Sequence, residues 1–217
     1  MIASKSWDWK IGANPYWEEP SSEVYPLIGR WKDMQFKKML DLGSGIGRHS
    51  ILFAKNGFDV DALDLSLDGI SKINEISKSE KLHIKTKLGD MVLLPYSSDT
   101  FDCLIAYNVI YHTDEEGIKK TISEIRRVLV NGGEALITLN SQTNSAFLDS
   151  GNEHVSEHVL FKTNKPQEVG IPHYYVQKKD IPELFADFEI IKFYYKEEYW
   201  DDKYNNSHYY VLVRNKK

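Results

Sequence analysis

Cysteine is nearly absent: Cys103 is the one cysteine in 217 residues. No internal disulfide is available, and a reducing compartment fits. Long apolar runs are missing too. None approaches the roughly 20 residues that span a bilayer, and the stretch from Met1 to Lys10 lacks the apolar core of a secretion signal. A soluble, cytoplasmic protein with no membrane association is the expectation. Positive charge is in deficit, with 27 Lys and Arg against 32 Asp and Glu and a formal net charge of -5. Such a chain repels polyanions, which makes nucleic acid a poor partner. Repeats, low-complexity tracts and long linkers are also lacking. What is there is ordinary for a globular domain: 41% hydrophobic and 27% charged residues. The length suits a single domain over residues 1–217.

Residues 1–34 are aromatic and turn-rich, with Trp7, Trp9, Tyr16, Trp17, Tyr25 and Trp31 punctuated by Pro15, Pro20 and Pro26. They read as an arm of short helices or loops laid over the main body. From Lys38 a regular alternation begins. Met39 to Leu42 is a short apolar strand, and Ser50 to Lys55 a helix stopped at Gly57. Phe58 to Leu65 is a second strand. Ser66 then caps a helix whose Leu67, Ile70, Ile73 and Ile76 share one face. His83 to Leu88 and Phe101 to Tyr107 are further strands. Thr113 and Glu116 have capping-box spacing ahead of a helix with Ile118, Ile122, Ile125 and Leu129 on its stripe. Asn131-Gly132-Gly133 reads as a turn into the strand Glu134 to Leu139. Strand and helix in alternation imply a doubly wound α/β fold with a mostly parallel sheet. Binding then belongs at the carboxyl ends of the strands. Ile181 to Phe185 is a short helix. Phe188 to Tyr195 and His208 to Arg214 close the chain as an antiparallel hairpin, with Asp201, Asp202, Asn205 and Asn206 in its turn. Residues 141–177 have weak periodicity, and a connection so long is usually functional. They are expected to cover a substrate.

The informative stretch is Asp41-Leu42-Gly43-Ser44-Gly45-Ile46-Gly47, between a strand and a helix. Its G-x-G-x-G spacing differs from the G-x-G-x-x-G that cradles a pyrophosphate. Asp41 ahead of the glycines would repel phosphate and suit a cationic ligand. Asp64, next to Leu65 and Ser66, ends the second strand, where a carboxylate can accept ribose hydroxyls. Gly89, Asp90 and Met91 end the third strand, with Asp90 suited to an adenine amino group. Tyr107, Asn108 and Val109 end the fourth.

In order and spacing these pieces resemble the class I, Rossmann-like S-adenosylmethionine-dependent methyltransferases. The resemblance runs from about Lys38 to Asn140. It takes in Ala62 to Ser66, Gly89-Asp90, Leu94-Pro95-Tyr96, Asn108 to His112 and Arg126 to Gly133. It implies a seven-stranded sheet whose C-terminal strand is antiparallel. It also implies S-adenosylmethionine as cofactor, S-adenosylhomocysteine as product, and a methyl acceptor. The glycine loop carries over to Gly43, Gly45 and Gly47, the ribose carboxylate to Asp64, and the adenine contact to Asp90. Gly170 to Tyr175 looks like members that modify small molecules. Arg48 and His49 depart from the small residues common after the glycines.

Each assignment has a plainer reading beside it. The glycines also suit a structural turn, Asp64 a helix N-terminus, and Asp90 a turn cap. His112 and His173 are the candidate bases, or else histidines with purely structural partners. His154 and His158 have i,i+4 spacing but no third ligand, so no metal is expected. Tyr16 and Trp17 either close over the cofactor or merely pack. Cys103 reads as a buried strand residue. Asn14-Pro15-Tyr16-Trp17 resembles an amino-methylating motif in composition but stands in the wrong place. The expected function is methyl transfer to a nucleophile of a small molecule. The alternatives are a protein or nucleic-acid methyltransferase, for which Lys119, Lys120, Arg126 and Arg127 are the densest basic run, and a non-catalytic cofactor-binding module. A nicotinamide oxidoreductase is disfavoured by the glycine spacing.

Overall fold

The computed structural model describes residues 5–9, 17–163, 168–200 and 204–217. Tyr16 and the Asn14-Pro15 pair, and Asp201 and Asp202 of the expected turn, lie outside the described residues.

The first regular helix, α1 (Tyr25–Asp33), has Pro26 in its opening turn, where a missing N–H costs nothing. The alternating body follows: β1 (Lys38–Leu42), α2 (Arg48–Lys55), β2 (Asp59–Asp64), α3 (Leu67–Glu80), β3 (Ile84–Leu88), β4 (Phe101–Ala106), α4 (Glu115–Val128) and β5 (Leu129–Ser141). Short elements come next: α5 (Ser145–Leu148), β6 (Glu153–His154), β7 (Val159–Phe161), β8 (Pro172–Val176) and α6 (Ile181–Leu184). The hairpin of β9 (Phe188–Trp200) and β10 (Tyr204–Asn215) ends the chain.

The main sheet runs β3-β2-β1-β4-β5-β10-β9. The first five strands are parallel and β10 is antiparallel to β5. This is the seven-strand path the resemblance implies. Side-chain alternation sorts the core into two layers. Leu40, Leu42, Leu104 and Ala106 face Ile118, Ile122 and Ile125 of α4. Met39, Cys103 and Ile105 face Trp31 of α1 and Phe53 of α2. Cys103 is a core residue with its thiol pushed well up by burial.

Glu134 locks α1 to the far side of the sheet. Its carboxylate is fully buried and accepts from Arg30 at 2.7 and 2.8 Å, Arg214 at 2.8 Å and Trp31 Nε1 at 3.0 Å. Burial works to raise its pKa, and these donors outweigh that and hold it low. Because Arg30 and Arg214 both pair with it, the buried charge keeps one cationic partner when the other is lost.

Several boundaries differ from the sequence reading. The cap of α4 is Asp114, which accepts from Gly117 N at 2.8 Å, and Thr113 is one residue early. Asn131 to Gly133 lie inside β5, where the register with β4 shifts, and do not form a separate turn. His154 is in a strand, so the helical His154–His158 alignment fails. The described residues hold no cluster of three or more metal-ligating side chains. No helix among them is long and apolar enough to cross a membrane.

Residues 141–177 contain structure of their own. β8 pairs with β5 at Asn140↔Tyr175 and Ser141↔Val176. At Asn140 the other edge of β5 is already taken by His208 of β10. A strand has only two edges for pairing, so β8 occupies the β4 side, beyond the point where β4 ends. The small β6-β7-β8 sheet therefore stands over the carboxyl end of β4. A 2.7 Å bond from Tyr174 N to Tyr111 O ties it there.

Candidate functional site

The first wall of the cavity is made of backbone. Gly43 has φ +69°, and a Cβ there would lie 2.2 Å from Val109 Cγ2. No residue with a side chain fits without displacing Val109. Gly43 N and Ser44 N both donate to Leu63 O, at 2.8 and 3.0 Å, which folds the turn onto the end of β2. Asp64 completes the clip: its two carboxylate oxygens accept from Gly45 N at 2.8 Å and Ser66 N at 2.7 Å. Burial raises its pKa, and these bonds act against that rise. Ser66 caps α3 through Gly69 N.

The cavity lies against Gly43, Ser44, Gly45, Asp64, Leu65, Gly89, Met91, Tyr107, Asn108 and Val109. These expected residues are brought together at the ends of four strands. Asn108 has a left-handed backbone, and its N–H donates to Thr138 Oγ1 at 2.6 Å. Four others stand off the wall. Asp41 is turned away from the cavity to accept from Ser50 Oγ at 2.6 Å, and burial lifts its pKa to about 6. It pins α2 under the turn and does not face the cavity, contrary to the expectation. Gly47 caps α2 in a left-handed conformation against Ile73. Ser66 and Asp90 lie beside the wall, Asp90 accepting from Val92 N.

Trp7, Trp9 and Trp17 of the N-terminal arm form the roof. Trp9 lies against Gly45 and Gly69, where an added Cβ would fall 2.4 Å from the Trp9 ring at Gly45 and 3.2 Å from its Nε1 at Gly69. Trp17 meets Trp9 edge-on at 6.1 Å, and Arg48 sits 5.2 Å from the ring centres of both Trp17 and Tyr107. Trp7 stacks on His112 at 5.9 Å. Sequence reasoning left Trp17 and Tyr16 between closing over the cofactor and merely packing, and assigned Trp7, Trp9 and Arg48 no place at the site.

The far wall is built of side chains. His112 lies between Trp7, Tyr111 and His173, at ring distances of 5.9, 4.6 and 4.9 Å. Burial pulls its pKa well below the ordinary value. His173 is off the cavity, behind Glu168 and His112. Its Nδ1 is 2.9 Å from Ile171 O and its Nε2 is 2.8 Å from Glu168 Oε2. Lys162 also pairs with Glu168. Burial alone would raise the Glu168 carboxyl, but His173 and Lys162 hold it well below the usual range. Burial lowers His173, opposed by Glu168. His49, lowered to about 3 by burial and by Arg48, accepts from Ser21 N at 3.3 Å. Asn140, Asn144, Asn206 and His208 complete this end. None of the far-wall residues except His112 and His173 was singled out from sequence as part of the site. One signal was available: Asn206 and His208 alternate with buried residues on a strand that otherwise reads as core.

A ligand that offers hydrogen-bond acceptors fits the first wall and its roof. Ser44 Oγ, Trp7 Nε1 and Trp9 Nε1 are buried donors without a partner among the described residues, and buried donors are normally satisfied. The glycine turn leaves room that a Cβ would fill, and Asp64 supplies a carboxylate at its rim.

Comparison with known proteins agrees with this geometry. Residues 39–133 match a family model described as a methyltransferase domain. Norajmaline N-methyltransferase of Rauvolfia serpentina is 32% identical over 104 residues, 46% of this chain and 35% of that enzyme. An S-adenosylmethionine-dependent methyltransferase structure from Methanosarcina mazei superposes with TM-score 0.73 at 19% identity, over 88% of this chain and 98% of that one. A Burkholderia thailandensis 1,6-didemethyltoxoflavin-N1-methyltransferase, solved with 1,6-didemethyltoxoflavin and S-adenosylhomocysteine, gives TM-score 0.70 at 14% identity, over 96% and 84%. At such identities the superpositions speak for the fold. The chain spans about a third to a half of the length of curated relatives it matches. Over residues 39–133 the chain is similar to a methyltransferase domain, and its fold is that of the class I S-adenosylmethionine-dependent methyltransferases.

Proposed function

We propose that the chain transfers a methyl group from S-adenosylmethionine to a nucleophilic atom of a small molecule. The observation that carries this reading is the clip of Gly43, Gly45 and Asp64, which lines the cavity at the ends of β1 and β2. When bound, the cofactor supplies an electrophilic methyl group, whose carbon–sulfur bond breaks as the acceptor's lone pair forms the new bond, the sulfur keeping the old pair.

In this reading the backbone of Gly43 to Gly45 and the Asp64 carboxylate bind and orient the cofactor, with Met91 and Leu65 beside its base. Asp90, next to them, serves the adenine edge. Tyr107 to Val109 close the end where the methyl is delivered. Trp7, Trp9 and Trp17 exclude water, so the chain's task is alignment and desolvation. Residues 141–177 supply the acceptor's cover. A small acceptor is favoured by the roofed cavity and by the fate of the basic run. Arg126 donates to Asp187 O and Lys216 O, and Arg127 to Glu124, Tyr96 O and Leu94 O, at the end of α4 away from the cavity.

Calorimetric titration with S-adenosylhomocysteine, with NAD as control, tests the reading. Micromolar or tighter binding of the first alone is expected. Folded protein that ignores S-adenosylhomocysteine, or that takes NAD, would sink it.

A further inference from the structure

The acceptor end of the cavity is rich in hydrogen-bond donors and poor in bases. His208 lies opposite Asn140 across the β10–β5 pairing, and Asn206 is two residues from His208. Period-two alternation puts all three on one face of the sheet, within side-chain reach of one another. The amide orientations follow from their partners. Asn144 Oδ1 accepts from Ala146 N, so its Nδ2 is the group that donates to Asn206 Oδ1 at 3.1 Å. That leaves Asn206 presenting its NH₂. Asn140 is 4% exposed, and its Nδ2 has no partner among the described residues. A buried amide donor left unmade is costly, and a ligand acceptor would recover that cost. Lys162, whose ammonium also holds Glu168, lines the same cavity.

The charges point the same way. Lys5, Arg48 and Lys162 line the cavity against the carboxylates of Asp64 and Glu168. Asp64 is engaged by the glycine turn, and Glu168 by Lys162 and His173. Among the described residues, a cationic acceptor meets no carboxylate lining this cavity that is not already engaged.

Nor do the described histidines of this end offer a base to deprotonate a neutral acceptor. Both nitrogens of His173 face oxygen acceptors of the protein itself. His208 sits 3.5 Å from Tyr111 OH and is lowered to about 4, chiefly by burial and then by Lys162. His112 is enclosed by three rings. An acceptor that enters already ionised needs none of them: it loses its charge on receiving the methyl group and releases no proton.

We propose that this end of the cavity is an oxyanion-binding acceptor subsite with Asn140, Asn206 and Lys162 as donors, and that the methyl acceptor is a small organic acid taken up as its anion. The inference rests on the proposed methyl-transfer reading and deepens it.

The test is a binding experiment on the whole chain saturated with S-adenosylhomocysteine, read by tryptophan fluorescence. The probes are matched pairs: acetate and acetamide, glycine and glycinamide, benzoate and benzamide. At least one carboxylate should bind saturably and outbind its amide by about tenfold or more. Asn140→Leu, which conserves volume, and Asn206→Ala should each erase that preference while leaving S-adenosylhomocysteine affinity within about twofold. Three results overturn the proposal: amides binding as well as acids, no carboxylate binding at all, or an unchanged preference in both variants. Failure of S-adenosylhomocysteine to bind would strike the methyl-transfer reading instead, so the two failures are separable.

Discussion

The two ends of the cavity are built by different means. The cofactor end is backbone: a glycine turn, amide groups held by Leu63 O and Asp64, and strand ends in sequence order. The acceptor end is side chain: Asn140 from β5, Lys162 after β7, Glu168 ahead of β8, and Asn206 and His208 from β10. At the first end the glycine turn and Asp64 come from one βαβ unit, and the remaining wall from the ends of the next two strands in order. The second is assembled from segments more than sixty residues apart. A backbone site tolerates little substitution and accepts one ligand. A side-chain site can be respecified residue by residue on the same frame.

The comparison breaks if the backbone end proves tolerant. Gly43→Ala is the harshest probe, because it demands a left-handed alanine and collides with Val109. A loss of roughly 2–5 kcal/mol in stability or cofactor binding is expected, read by thermal melts with and without S-adenosylhomocysteine. Asp64→Ala removes two charge-assisted bonds to backbone, each worth about 1.5–3 kcal/mol. Cofactor affinity should fall by about a hundredfold or more in calorimetry, with the fold retained by circular dichroism.

His173→Gln sharpens the contrast. It lies behind the wall, so cofactor affinity should hold within about threefold while turnover falls by about tenfold through a displaced Glu168 and Lys162. Equal loss of both would assign His173 to the cofactor end.

Acid stability follows from the buried histidines. His49 and His208 have folded pKa values near 3 and 4, below the ordinary 6.5. The unfolded chain therefore binds protons more readily between about pH 6.5 and 4, and stability falls as pH drops through that window. Asp41, raised to about 6, acts in the opposite sense: its contribution is present at low pH and is lost as pH rises from about 4 to 6. Two histidines outweigh one carboxyl, so the melting temperature should decline on acidification below pH 6.5. His208→Gln should flatten that decline. The smallest effect is expected at Lys119→Ala with Lys120→Ala, on the solvent side of α4. Melting and S-adenosylhomocysteine binding should change by no more than about 0.5 kcal/mol, and a larger change in binding would bring that face into the site.

Legibility in the sequence followed the same division. β1, β2, β4, the glycine turn and Asp64 were readable because local spacing carries their geometry. The cap of α4 was misplaced by one residue because Thr113 and Asp114 are both good caps, and Gly117, not Glu116, completes the bond. The Asn131–Gly133 stretch looked like a turn because its composition is that of one, yet pairing with β4 on one side and β10 just beyond draws it into β5. The acceptor residues were illegible for another reason. Asn140 and His208 meet through strand pairing, and no periodicity within either segment announces a partner in the other.

One arm covers both ends. Trp9 lies on the glycine turn and Trp7, two residues earlier, on His112. Lifting that short stretch to admit one ligand uncovers the place of the other as well. The free energy of opening is then shared between two binding events, so the ligands should bind with positive cooperativity even where they never touch. Release should show the same linkage, with each departing product leaving the other behind a loosened roof.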